Sequence, residues 1–299
     1  MPPETAPTGV IHNIGYRGYE GPRLGRRAVV SALFAHNLRG VYGLGRGRSK
    51  ILPLSLLAIM CIPALILAVI TVIMAGQGLL SEPLLPYSRY ATVTQAALAI
   101  FVAAQAPQAV SLDLRFHALP LYFSRPMTRA DYAVTKYVAL TVGVFILLGV
   151  PLLIMYIGAL LAELPFAAQT ADLLLALVGA AVFAAVLSGV GLVIASRTAR
   201  RGFAVAGIVT VLALSYAIVT TLQGMIGFGQ GNEAAAGWIG LFSPMTLVDG
   251  VQVWAFGAES SVPVGPQDDA TGVTFLLVTI ALIAGCLALL VRRYRKVRL

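Results

Sequence analysis

The sequence predicts an all-α integral membrane protein with six transmembrane helices, and three observations support this fold class. Of the 299 residues, 59% are hydrophobic and only 11% are charged, against roughly 25% charged residues in an average soluble domain. The apolar residues are concentrated in six long stretches, and the basic residues are confined to alternate connections. The composition excludes an ordinary soluble enzyme, and its hydrophobicity excludes intrinsic disorder.

Six apolar stretches are each long enough to cross the hydrocarbon core, which takes about 20 residues. None of them contains Asp, Glu, Lys, Arg or His. We expect Cys61 and Cys286, which lie inside two of these stretches, to be buried and unpaired. The predicted spans cover residues 51–75, 91–112, 138–162, 173–195, 203–222 and 273–291.

The basic residues orient the predicted helices. Of the 21 Lys and Arg residues, 20 lie in the leader, the second and fourth connections and the tail, and only Arg89 lies elsewhere. Basic loops stay on the cytoplasmic side of a membrane, so both termini are predicted to be cytoplasmic. The net charge of +9 therefore indicates contact with the lipid bilayer and not with a nucleic acid.

The first 50 residues divide into two predicted parts. Residues 1–27 read as an irregular leader, and residues 28–50 as an amphipathic interfacial helix followed by a hinge. The helix has apolar residues at i, i+3, i+4 and i+8, which is one helical face: Val30, Leu33, Phe34 and Leu38. The glycine-rich stretch 43–48 lacks the spacing of a phosphate-binding loop, so we expect this chain to bind no nucleotide.

The second connection, residues 113–137, contains the clearest local signals of where helices begin and end. Thr128 and Asp131 have the spacing of a capping box, which predicts a helix that starts there and continues into the third span. Pro126 disfavours a helix immediately before it, so residues 113–122 are predicted to form a separate short helix. Its apolar side chains require a cover, which is either the bilayer surface or a partner protein.

This connection resembles the corresponding loop of ABC-2 type transporter permeases. The similarity lies in Asp113-x-Arg115, the Tyr-Phe-Ser-Arg-Pro-Met-Thr-Arg stretch at 122–129, and Lys136 just before the third span. The organisation from about residue 28 to the end is similar too. The resemblance implies that 113–137 is a coupling loop on which a separate ATPase subunit docks.

Carried over to this sequence, the resemblance assigns two groups of docking residues. The coupling helix would contain Asp113, Arg115, Phe116 and Leu119. The adjacent turn would contain Arg125, Pro126, Thr128 and Arg129. ATP with Mg²⁺ would be bound by the ATPase and not by this chain.

The spans themselves contain few polar groups. Gln105 and Gln108 flank Pro107 in the second span, where they either line a pathway or form hydrogen bonds between helices. The lack of ionisable residues within the spans counts against an ion-driven carrier. No catalytic motif is present, so no enzymatic activity is expected of this chain.

The segment 223–272 contains no Lys or Arg. Its semi-apolar middle predicts short re-entrant or interfacial helices between spans five and six, anchored by Trp238 and Trp254. In the similar family such helices shape an outer gate, for which Phe242, Met245 and Trp254 are the candidates here. Asp268 and Asp269 are expected in a solvated turn.

The sequence thus predicts the permease subunit of a bacterial ABC exporter in the plasma (inner) membrane. Six spans enclose little space, so a second permease copy or a homologue is expected to complete a dimer, with an ATPase subunit on the cytoplasmic face. A stand-alone secondary carrier or channel is the alternative, and a membrane anchor for a partner protein is a third possibility.

Overall fold

The computed structural model describes residues 21, 25–44, 50–116, 119–124, 126–198 and 200–296. Within these ranges the regular elements are all helices and no strand occurs, which confirms the all-α prediction. Most of the predicted leader and most of the predicted hinge lie outside the described residues, and the last two residues of the predicted irregular leader, Arg26 and Arg27, are helical instead. The α-helices are α1 (Arg26–Val41), α2 (Ile51–Gly76), α3 (Tyr90–Val93), α4 (Gln95–Arg115), α5 (Leu119–Phe123), α6 (Arg129–Leu161), α7 (Phe166–Arg197), α8 (Arg201–Val209), α9 (Ser215–Gln223), α10 (Glu233–Ile239), α11 (Pro244–Phe256) and α12 (Asp269–Arg295).

Among the described residues, five helices are long and apolar enough to cross a membrane. They are α2, α6, α7, the continuous helix Arg201–Gly229 that contains α8 and α9, and α12. A sixth span is present if the bent pair Tyr87–Val93 and Gln95–Ser111 is counted as one, since its two parts meet at 61°. Every predicted span overlaps one of these helices.

The second span breaks at a position that the sequence did not indicate. The bend lies at Thr94, whose backbone has left the helical conformation (φ −98°, ψ 11°). Pro107, the proline expected to kink this helix, lies inside α4, which runs unbroken to Arg115. A proline within a span is accommodated when neighbouring groups satisfy the freed carbonyl.

The predicted short helix at 113–122 is wrong in its bounds. Helix α4 continues to Arg115, and the separate helix is only α5, Leu119–Phe123. Pro120 explains the break, because it has no N–H to donate to the carbonyl of Phe116. The proline is tolerated in the first turn of α5, where N–H groups have no helical partner.

Two helices form the centre of the bundle, α6 and α7. Small residues let their neighbours approach closely: a Cβ on Gly158 of α6 would lie 2.4 Å from the Cβ of Ala68 in α2. On α7, a Cβ on Gly191 would lie 2.5 Å from Val102 of α4. Glycine therefore allows close helix contacts on both central helices.

Helix α1 packs lengthwise against the start of α6. Arg26 at one end of α1 pairs with Asp131, and at the other end the Tyr42 hydroxyl donates a hydrogen bond of 2.7 Å to the carbonyl of Gly143. A Cβ on Gly143 would lie 2.6 Å from a methyl group of Val41, so this contact requires glycine. The two helices run together over twelve residues of α6, about 18 Å.

The segment between the last two spans folds onto α12. Gly240 and Gly250 both face the ring of Phe275, and Gly272 faces the indole of Trp254. The predicted short helices are present as α10 and α11, joined by the 3-10 turn Gly240–Phe242. Asp268 is the N-cap of α12, and its Oδ1 accepts a hydrogen bond of 2.8 Å from the Thr271 N–H and another from the Thr271 hydroxyl. These hydrogen bonds lower the pKa of Asp268.

The helix ends fall into two groups with opposite charge. At one end, Ser111 Oγ donates to the carbonyl of Ala195 and Arg129 donates to the carbonyl of Arg295. At the other end, Arg89 pairs with the Glu259 carboxylate. We call the first group the basic end and the second the acidic end; the acidic end also carries the carboxylates of Glu82, Asp172 and Asp269.

Candidate functional site: the Asp113 cluster

A buried ion pair lies at the basic end, between the end of α4 and the start of α6. The Lys136 Nζ lies 2.8 Å from Asp113 Oδ2, and their side chains are only 6% and 17% exposed. The Tyr132 hydroxyl donates a 2.5 Å hydrogen bond to the same carboxylate oxygen. Because Tyr132 and Lys136 are one helical turn apart, α6 presents both groups to Asp113 on one face.

Aromatic rings surround the Lys136 ammonium group. Its Nζ lies 5.3 Å from the ring centroid of Tyr132 and 5.9 Å from that of Tyr122, within the range of a cation–π interaction. The Tyr132 ring also meets Tyr294 of α12 edge to face, with centroids 5.0 Å apart. We define the Asp113 cluster as Asp113, Tyr122, Tyr132, Lys136 and Tyr294; it joins α4, α5, α6 and α12.

Arg129, a predicted docking residue, connects two further elements. Its Nη1 donates a 2.7 Å hydrogen bond to the carbonyl of Arg295 at the last turn of α12. A cation is favourable there, because the final carbonyls of a helix lack partners. The guanidinium also lies 5.7 Å from the ring centroid of Phe123 in α5, so Arg129 fixes α5 relative to α12.

The capping box predicted at Thr128 is confirmed, and it carries an additional contact. Thr128 Oγ1 accepts from the Asp131 N–H at 3.1 Å, and Asp131 Oδ2 accepts from the Thr128 N–H at 2.9 Å. The same carboxylate accepts two hydrogen bonds from Arg26, at 2.6 and 2.8 Å. This bidentate pair raises the pKa of Arg26 and attaches α1 to α6.

The other predicted docking residues lie around this cluster. Phe116 is 69% exposed at the end of α4, and Leu121 of α5 is 74% exposed. Pro126 and Thr128 are exposed as well. The backbone places Arg115 at the last residue of α4 and Leu119 at the first of α5, whereas Arg125 lies outside the described residues.

A small cavity beside the cluster connects it to the predicted pathway residues. It has a volume of about 140 Å³ and includes Gln105, Gln108, Asp113 and Phe116 in its lining. The structure therefore brings both glutamines close to Asp113 and Phe116. Within the described part of the chain, the buried Nε2 of Gln105 has no hydrogen-bond partner.

The three predicted gate residues occupy different settings at the acidic end. Met245 is buried in the core, whereas Phe242 is 77% exposed. The Trp254 Nε1 donates a 3.0 Å hydrogen bond to Asp269, and its ring covers Gly272. Trp254 therefore fixes α11 to α12, and Phe242 is the one of the three that is accessible.

Two features were missed by sequence reasoning. Tyr294 lies among the basic residues of the tail, and its pairing with Tyr132 joins positions 162 residues apart. Asp249 is only 3% exposed and accepts hydrogen bonds from the Ser261 N–H, and no sequence pattern singled it out. Burial raises the pKa of Asp249. The spacing of Tyr132 and Lys136 was the one available signal of the cluster.

The Asp113 cluster connects four helices at the basic end. Its carboxylate is neutralised by Lys136, and its three rings, from α5, α6 and α12, are packed against each other. Comparison of the sequence with protein-family models and with curated proteins finds no match.

Proposed function

We propose that this chain is the permease subunit of an ABC exporter, driven by a separate ATPase that docks on residues 113–137. The observation that carries the proposal is the Asp113 cluster, which links exposed apolar residues to the ends of four helices. Phe116 and Leu121 present those apolar side chains at the surface. An exposed apolar patch on a connection fits a protein-binding surface.

The cluster supplies a route for force from the docked ATPase. A displacement of α5 acts on Tyr132 and Lys136 through the Tyr122 ring, and on α12 through Phe123 and Arg129. Since packed elements move as units and do not deform continuously, α4, α6 and α12 would respond together. ATP with Mg²⁺ belongs to the ATPase, and this chain has no catalytic role.

The remaining parts of the proposal concern the membrane and the assembly. The basic end faces the cytoplasm of a bacterial cell with both termini, and α1 lies near the inner leaflet. Helices α10 and α11 form the outer gate region, with Phe242 as its accessible residue. A second permease copy or a homologue completes the translocation pathway.

Replacement of Phe116 by Asp tests the docking surface. A charge at this 69% exposed position should lower co-purification of the ATPase about tenfold or more, as expected of a central interface residue. Phe242→Asp is the matched control, because Phe242 is equally exposed but lies at the acidic end. The measurement is ATP hydrolysis by the tagged chain purified from membranes of its own cells.

Reconstitution in vesicles distinguishes the alternatives. Transport that requires both ATP and the co-purified ATPase supports the proposal. Gradient-driven flux by this chain alone would identify a secondary carrier or channel and overturn it. Equal loss of the ATPase from both Asp variants would show that residue 116 is not part of a specific docking surface.

A further inference from the structure

A groove of about 610 Å³ lies between α1 and α6 and is separate from the Asp113 cluster. Its charged end contains Arg26, Arg27 and Asp131. Arg26 and Asp131 neutralise each other in their bidentate pair. Arg27 is exposed and takes part in none of the ion pairs found among the described residues. The charged end therefore carries a net charge of +1.

The rest of the groove is mostly apolar, with the hydroxyl groups of Ser31 and Thr135 as its other polar groups, and it follows α6 into its predicted span. Val30 and Phe34 of α1 form one wall, and Val134 and Val138 of α6 form the other. The two valines are 38% and 39% exposed, so they remain accessible although α1 packs against α6. They follow Asp131 at i+3 and i+7, on one face of α6.

The charged and apolar groups of the groove follow the same order as the two parts of a phospholipid, with the charged headgroup at the membrane surface and the acyl chains deeper in the bilayer. From Asp131 to Val138 the helix rises about 10 Å, and residue 138 is where the third span is predicted to begin. The headgroup layer on each side of a bilayer is about 5–8 Å deep. Arg27 is thus at the level of lipid phosphates, and the apolar walls are at the level where acyl chains begin.

We propose that this groove binds one anionic phospholipid, with its phosphate on Arg27 and an acyl chain between Phe34 and the two valines. The inference requires only that α6 spans the bilayer and does not depend on the proposed transport function. A lipid explains both the net positive charge at the charged end of the groove and the direction in which the groove becomes apolar. A protein segment would explain the apolar walls alone.

The test uses the purified chain and native mass spectrometry with phosphatidylglycerol or phosphatidylcholine. The protein should retain phosphatidylglycerol preferentially, and Arg27→Gln should lower its retention about fivefold, since one basic residue near anionic lipid contributes about that factor. Arg39→Gln is the matched control: it removes the same charge from an exposed position of α1 that does not line the groove. Equal losses from both variants would indicate diffuse attraction and overturn the proposal.

A second measurement identifies the occupant directly. Phe34 is replaced by the photoreactive residue p-benzoylphenylalanine, and the protein is illuminated in vesicles that contain phosphatidylglycerol and phosphatidylcholine in equal amounts. An adduct with the mass of one phospholipid supports the proposal. A crosslink to the N-terminal segment of this chain, to a second copy or to another protein would contradict it, as would an adduct with phosphatidylcholine in equal yield.

Discussion

Lys136 and Asp113 form a largely buried ion pair. Replacing only one of the two residues should lower the free energy of unfolding much more than replacing both. Lys136→Met leaves the Asp113 carboxylate buried without its cation, which typically destabilises a protein by about 3–5 kcal/mol. We expect a lower free energy of unfolding in an SDS titration of the purified protein. The double variant Asp113→Leu/Lys136→Met should recover most of the loss, because a buried pair is often replaceable by apolar residues. A double variant as unstable as Lys136→Met would contradict this account.

Asp249 gives a second residue-level prediction, which concerns pH. Burial in α11 raises its pKa above the ordinary value of 3.8, although the hydrogen bonds from Ser260 and Ser261 and the charge of Arg89 act in the opposite direction. A raised pKa means that the folded state holds the proton more tightly than the unfolded state. The stability contributed by Asp249 is therefore fully present below pH 3.8 and is lost as the pH rises through the folded-state pKa.

The measurement is thermal unfolding of the purified protein from about pH 3.5 to pH 7. Asp249→Asn keeps an oxygen that accepts from Ser261 and should flatten the pH dependence in this window. Glu82→Gln is the control, because Glu82 is exposed at the same end of the bundle. A profile that is the same in Asp249→Asn and in the unaltered protein would rule out this assignment.

Individual helices show which local signals are reliable in this chain. The capping box at Thr128 and Asp131 predicted the first residue of α6, because capping is a contact between residues three positions apart. The same kind of reasoning was available for Pro120, but the predicted helix ran through this proline from residue 113 to residue 122, so the break before α5 was missed. The bend at Thr94 has no comparable signal, and the packing of α1 along α6 depends on residues about 100 positions apart.

The capping box also supports a prediction about helix stability. Thr128→Ala removes the hydroxyl that accepts from the Asp131 N–H and should cost about 1 kcal/mol of unfolding free energy. Thr128→Ser keeps this hydroxyl and should restore most of the stability. Thr221→Ala is the matched control, because the Thr221 hydroxyl only donates to a carbonyl of its own helix and its loss should fall within about 0.5 kcal/mol. Equal effects at positions 128 and 221 would argue against a capping role.

For the whole molecule, hydropathy and charge predicted more than any motif did. Long apolar stretches placed all six candidate spans, since a membrane span is specified by its own composition. Side-chain packing determines the Asp113 cluster and the core position of Met245, and one sequence without its fold gives no direct signal of either. The predicted docking residue Asp113 and the pathway glutamines Gln105 and Gln108 proved to be neighbours because α4 carries all three.

The separation of charge between the two ends predicts one orientation in the membrane. In a variant with Cys61 and Cys286 replaced by Ala, Ser124→Cys at the basic end and Ser81→Cys at the acidic end are each exposed. An impermeant thiol reagent should label position 81 in intact cells and position 124 only after permeabilisation, because basic segments remain in the cytoplasm. The reverse pattern would overturn the predicted orientation.

The attachment of α1 to α6 also has a consequence for synthesis of the chain. Arg26 and its partner Asp131 are 105 positions apart, and a ribosome adds about 5–20 residues per second. The first helix therefore exists for roughly 5–20 s before its docking site has been made. Its apolar face, with Val30 and Phe34, requires a temporary cover during that interval, and the nearby membrane surface provides one.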